Sequence, residues 1–169
     1  VSKAAGHILF SGGTRFRPLL MILSARICGY DVTYDKTFSV IFEYLHAATL
    51  LHDDIVDEAT LRRGQPVANS IYGSATAVLV GDFLLARSLS IAANTGSIKV
   101  IKAIGDVTED MAQGEIHQLI KKGSLDLTEK EYMEVIRRKT ASLIQGACLT
   151  GALIADSKEK EKNALSDFG

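Results

Sequence analysis

The segment LLHDDIVDEATLRRG, residues 50–64, sets four acidic side chains within six positions at the end of an apolar stretch and follows them with Arg62 and Arg63. On a helix, at about 100° per residue, Asp53 and Asp57 share a face as i, i+4 neighbours, and Asp54 stands i, i+3 from Asp57. Like charges at that spacing need relief from a bound cation, a shared proton or solvation. Few carboxylates, with waters and phosphate oxygens completing the shell, describe a Mg²⁺ site. The bland alternative is a solvated acidic helix end. Because the carboxylates extend an apolar helix, they are expected to line an internal cavity. Guanidinium forks match phosphate oxygens, and Arg62 and Arg63 leave the helix end on a loop closed by Gly64.

Two further basic sets accompany this one. GGTRFRP, residues 12–18, combines Gly12 and Gly13, which permit close backbone approach, with Arg15 and Arg17 at a helix start, a position that favours anions. Arg137-Arg138-Lys139-Thr140 lies before an apolar run, where Lys139 could instead simply snorkel. Each set alone is a weak signal. Carboxylates plus three basic sets on helices that can face one cavity imply a metal-bridged diphosphate, with a second anion held by arginines.

The elements that must position these groups are helical. The chain has only two prolines and little β-branched alternation, so an all-α fold is expected. Helical spacing covers 15–28, with Pro18 in the first turn and Gly29 as the stop. A long helix over 36–59, capped by Asp35, is apolar on nearly all sides as far as Leu51 and belongs at the centre of a bundle. TLRRGQPVANS reads as the main loop. Helices are expected over 74–94, 97–121 and 129–155, the last started by the capping box of Thr128 and Glu131. A final helix runs from about Lys158. No repeat or linker interrupts residues 1–169, which read as one domain.

Hydrophobic residues make up 47% of the 169 positions, charged ones 23%, and the formal net charge is −1. That balance argues against a general nucleic-acid binder or a polybasic membrane surface. No apolar run is expected to span a bilayer, and no secretory leader is evident, so a cytoplasmic setting is expected. Cys28 and Cys148 lie in apolar surroundings without CxxC spacing and read as free thiols. The absence of an initial Met and the end at Ser-Asp-Phe-Gly read as a fragment.

In order along the chain, these motifs resemble the trans-polyprenyl diphosphate synthases, all-helical prenyltransferases built as a bundle around a central cavity. GGTRFRP resembles the family's GGKRLRP, Asp53-Asp54-Ile-Val-Asp57 its first DDxxD, Leu61–Gly64 its LRRG, Gly81-Asp82 its GD and Lys139-Thr140 its KT pair. EYLHAATLLHDD is similar to the long-chain branch. The resemblance implies that Asp53 and Asp57 bind Mg²⁺, which bridges to an allylic diphosphate of geranyl or farnesyl type, with Asp54 supporting. Arg62, Lys139 and Thr140 would contact that diphosphate. Arg15, Arg17, His46 and Arg63 would hold isopentenyl diphosphate, and Glu115 and Gln118 stand as cavity candidates. Asp82 is left as structural. A homodimer is typical of the family.

The implied chemistry is ionisation of the allylic C–O bond, attack by the double bond of isopentenyl diphosphate, and loss of a proton. No nucleophile–base pair is required. Ala48 and Thr49 are small, so the tail should run down the helix from the aspartates, with Tyr44 as the first aromatic in its way and a long-chain product as the outcome. Thr14 departs from the family by replacing a lysine. The family's second aspartate-rich motif follows the segment that begins here with Asp167, so these residues alone are expected to be inactive. The rival readings are a non-catalytic subunit of such a synthase, a structural bundle, and a phosphohydrolase using His52-Asp53.

Overall fold

The computed structural model describes residues 1–169, folded as nine helices and one small hairpin. The helices are α1 (Ser2–Leu9), α2 (Phe16–Ile27), α3 (Asp35–Val56), α4 (Ala68–Tyr72), α5 (Ser74–Ala93), α6 (Ile98–Lys121), α7 (Glu129–Ile136), α8 (Ser142–Ile154) and α9 (Glu159–Phe168). The all-α reading holds. α3 is central, packing against α2 and α5 along its length and touching α1, α4 and α8. One core cluster joins Phe42, Leu45, Met21, Ile104, Met111 and Leu143; a second joins Ala47, Leu51, Val80 and Leu84. α3 feeds both.

Local chemistry sets the helix ends. Gly29, at φ 84°, follows the C-cap of α2, as expected of a left-handed stop. Ser97 caps α6 through the Val100 N–H, and Thr128 and Glu131 form the anticipated box on α7. The N-cap position of α3 belongs to Tyr34 rather than Asp35. Asp35 is fully buried, its carboxylate 2.7 Å from Arg26 Nη2 and accepting from its neighbour's backbone N–H. A charged pair ties α2 to α3 where a simple cap was expected.

Three boundaries differ from the sequence reading. α3 stops at Val56, three residues early, in a Schellman turn: the N–H of Glu58 reaches Ile55 O and that of Ala59 reaches Asp54 O. Glu58 takes the left-handed conformation this turn requires, at φ 51°. The expected loop contains a two-residue hairpin, β1 (Leu61–Arg62) against β2 (Gln65–Pro66), with positive φ at both Arg63 and Gly64. That is the turn whose twist matches paired strands. Finally, the helix over 129–155 is interrupted by a π-turn at Arg137–Ala141.

By length and composition α5 is long and apolar enough to cross a membrane, contrary to the expectation that no stretch would be. It carries Asp82 and Arg87 and buries Ala77, Val80, Gly81, Leu84 and Ser88 within the bundle, the pattern of a packed bundle helix. Cys28 and Cys148 are unpaired thiols, the second fully buried.

Candidate active site

α2, α3, α5, α6, the π-turn and α8 enclose a cavity of about 520 Å³, well within the range of small-molecule sites. Its walls are mostly apolar, with Leu45, Ala48, Leu85, Met111 and Leu143 among the lining. Polar groups collect on two flanks: Arg17 and His46 on one, Asp53, Glu115, Lys139 and Thr140 on the other.

The first flank attracts anions. Arg17 Nε is buried without a hydrogen-bond partner, and burial lowers the guanidinium's affinity for its proton. A buried donor without a partner is costly, so this half-buried guanidinium is poised for an anionic ligand. His46, one helix away, is held neutral, its pKa lowered to about 4 first by burial and then by the positive charges of Arg17, Arg63, Arg62 and Arg15. That list of perturbers matches the residues expected from sequence to surround a diphosphate. Their contacts are less uniform. Arg15 pairs with Glu43 and donates to Leu9 O, while Arg63 donates to Gly12 O and lays its guanidinium over Gly13. The close backbone approach expected at these glycines is made at Gly13 by an arginine. Arg15 and Arg63 therefore contribute charge from the periphery, and only Arg17 and His46 line the cavity.

The second flank concentrates negative charge. The Asp53 and Glu115 side chains are each 17% exposed, with the Lys139 ammonium between them, 3.6 Å from Asp53 Oδ2 and in contact with Glu115 Oε2. Burial raises the Asp53 pKa, Lys139 lowers it, and Glu115 and Asp57 raise it, leaving it above the ordinary carboxylate value. Burial tends to lower the Lys139 pKa, but Glu115, Asp53 and Asp57 together leave it raised. Glu115 Oε1 has no partner. One ammonium thus serves two carboxylates, and the oxygen donors left over fit a hard divalent cation. Asp57 stands just past the end of α3, its N–H still bonded to Asp53 O at 2.8 Å and its carboxylate exposed, 3.9 Å from Lys122 Nζ. No three His, Cys, Asp or Glu side chains converge. A cation here would rest on Asp53 and Asp57 and draw its remaining oxygens from water or ligand.

Asp54 does not join them. It is 2% exposed and accepts from Arg62 Nε at 3.0 Å and from Nη2 at 2.7 Å. The single-residue step from Asp53 turns it away from the cavity, and the hairpin brings Arg62 back over it. Arg62 is thereby committed to Asp54, not free at the cavity as expected, and only Nη1 makes no protein hydrogen bond. Thr49 lines the cavity and donates to His46 O at 2.9 Å. Gln118 lies outside the lining, on the flank of the α6 stripe formed by Thr108, Met111, Ala112, Glu115 and Leu119.

Neither Tyr44, expected as the first aromatic in the tail's way, nor Phe42 is among the residues lining the cavity. Tyr44 lies nine residues before Asp53, half a turn out of register at about 100° per residue. Phe42, eleven residues before, returns to the same line and is fully buried beside Met111 and Leu143. His52 escaped the sequence reading except as a rival metal ligand. Its ring lies 3.3 Å from Val78 O and 3.4 Å from Asp82, in a space that exists because residue 81 is glycine. The Gly-Asp pair was visible in the sequence, but its partner across α3 and α5 was not.

Comparison with known proteins follows the same motifs. The chain is 38% identical to the octaprenyl diphosphate synthase of Escherichia coli K12 over 169 residues, covering all of this chain and 52% of that protein. It is 38% identical to heptaprenyl diphosphate synthase component 2 of Geobacillus stearothermophilus, covering 53% of it. Among solved structures, the polyprenyl synthase of Caulobacter crescentus CB15, in complex with calcium and isoprenyl diphosphate, superimposes with a TM-score of 0.96 at 38% identity. That match covers 98% of this chain and 51% of the other. The chain spans about half the length of the relatives it matches. A polyprenyl synthetase family model matches residues 1–169, and the chain belongs to that family.

Proposed function

We propose that this chain carries the substrate-binding face of a trans-polyprenyl diphosphate synthase, which condenses an allylic diphosphate of geranyl or farnesyl type with isopentenyl diphosphate into a long-chain all-trans product. The observation that carries the reading is one cavity that brings together a half-buried guanidinium with an unpartnered Nε on one flank, the carboxylates of Asp53 and Glu115 on the other, and mostly apolar walls. Bound Mg²⁺, held by Asp53 and Asp57, would neutralise charge on the allylic diphosphate. Lys139 and Thr140 hold that same diphosphate and favour cleavage of its C–O bond, an electrostatic contribution of the largest kind. Arg17 and neutral His46, with Arg63 behind them, seat the isopentenyl diphosphate. Its double bond attacks the allylic cation, a C–C bond forms, and the proton leaves to the departing diphosphate. Leu45, Leu85, Met111 and Leu143 keep water from the cation.

The names of the relatives, octaprenyl, heptaprenyl and decaprenyl synthases, support a long product. A cytoplasmic setting and pairing with a second copy belong to the same reading, the latter supported by the exposed apolar outer face of α5. The exposed Thr14, in place of the family's lysine, favours one second reading, a subunit that binds without turning over. Incubating the intact protein with farnesyl diphosphate, isopentenyl diphosphate and Mg²⁺ and sizing the products tests both. Products longer than C20, shortened by Ala48→Phe, are expected. Mg²⁺-dependent binding of an allylic diphosphate without product would replace the synthase with the non-catalytic subunit, and no binding would remove both.

A further inference from the structure

We propose that Glu115 is the resting partner of Lys139, holding its ammonium away from Asp53 so that this aspartate stays open to a divalent cation. The inference rests on the metal-binding reading of Asp53 given above. Lys139 has two acidic neighbours and sits unequally between them: its Nζ touches Glu115 Oε2 and stands 3.6 Å from Asp53 Oδ2. A lysine fully paired with Asp53 would compete with a cation for the same oxygens. Some other anion must therefore hold it, from a position the cation does not need.

Glu115 meets that requirement. It is a carboxylate set in an apolar stripe of α6, where an isolated charge is costly unless it has a partner. Oε2 touches the ammonium, but neither carboxylate oxygen makes an aligned hydrogen bond, so Glu115 has spare capacity to take the ammonium entirely. The residue before it, Gly114, lets α6 approach the π-turn so closely that an added Cβ would lie 2.9 Å from Lys139 N. Arg138 is turned the other way, 2.6 Å from Glu134 Oε1 and 3.1 Å from Asp110 Oδ1. The backbone at Lys139 is therefore fixed from both sides, and the freedom left is a swing of the ammonium between Glu115, Asp53 and an incoming diphosphate. Glu115 acts through Lys139; it is a positioning residue.

Binding of Mn²⁺ alone to the intact protein, followed by electron paramagnetic resonance, separates this role from its rivals. Glu115→Gln is expected to weaken Mn²⁺ binding roughly tenfold, the size typical of losing a supporting partner of a metal ligand. Removing the ammonium by Lys139→Met should restore most of that loss, because no lysine remains to fall onto Asp53. Equal binding by the unsubstituted protein and Glu115→Gln would overturn the proposal while leaving the metal site standing. So would a tenfold loss that persists in the Lys139→Met background, since Glu115 would then be a ligand itself. Absence of Mn²⁺ binding to the unsubstituted protein, or binding that Asp53→Ala leaves intact, would overturn the underlying reading and the proposal with it. Far-ultraviolet circular dichroism of each variant identifies any that fails to fold, and Glu115→Asp, which keeps the charge, should bind more tightly than Glu115→Gln.

Discussion

At the scale of single residues, His46 is the group whose environment has the clearest consequence. Its pKa is near 6.5 in the unfolded chain and about 4 in the fold, where burial and four arginines oppose the cation. The unfolded state therefore binds more protons between those values. The neutral ring's contribution is fully present above about pH 6.5, declines as the pH falls, and is gone below about pH 4, a loss of about 3 kcal/mol. His46→Gln cannot take up that proton, so urea titrations at pH 7 and pH 4.5 should show a smaller loss of stability for the variant than for the parent. An equal loss in both would mean that His46 is charged in the fold. The position of His46 was legible, since seven residues before Asp53 is two turns along one face. Its neutrality was not, because four arginines from two separate segments had first to be brought around it.

At the scale of elements, the sequence carried the helices and failed at their interruptions, for identifiable reasons. Thr128 and Glu131 signal a start with side chains that act locally, so local reading suffices. The π-turn at Arg137–Ala141 has no such signal, because RRKTA holds no glycine or proline to mark it. Its close packing partner is Gly114, more than twenty residues away on α6, where a Cβ would meet Arg138 Cβ at 2.8 Å and Lys139 N at 2.9 Å. The hairpin over Asp54 was hidden for a related reason: Arg63, a residue seldom found at positive φ, occupies half of its turn. Gly114→Ala is thus expected to force α6 from the π-turn, costing about 1–3 kcal/mol in thermal unfolding as overpacking does. The same shift displaces Lys139, so turnover should fall further than the affinity for isopentenyl diphosphate, whose proposed ligands lie on the opposite flank. Unchanged stability would show that the two elements can separate freely.

At the scale of the whole molecule, the question is what covers the apolar surface that the bundle leaves outside. Leu79 and Phe83 stand one turn apart on α5 and are 68% and 43% exposed, with Val78 and Leu89 extending the same helix's outer surface. The inner stripe of α5 is already spent on α3, so this outer stripe is left uncovered by residues 1–169. Contiguous apolar patches of this kind mark interaction sites, and a two-fold pairing of identical helices would place each stripe against its own copy. Charge is compatible with that arrangement: the exposed Asp82 and Arg87, five residues apart, offer opposite signs that an antiparallel pairing can bring together. Neither functional flank of the cavity lies on this helix, so disrupting the pairing should separate assembly from the chemistry of the site. The intact protein is expected to sediment as a dimer at micromolar concentration, and Leu79→Glu with Phe83→Glu to shift it to a monomer that still binds an allylic diphosphate. A doubly substituted protein that remains dimeric would move the interface elsewhere, and the stripe on α2 formed by Leu19, Leu23 and Ile27 would then be the next surface to substitute.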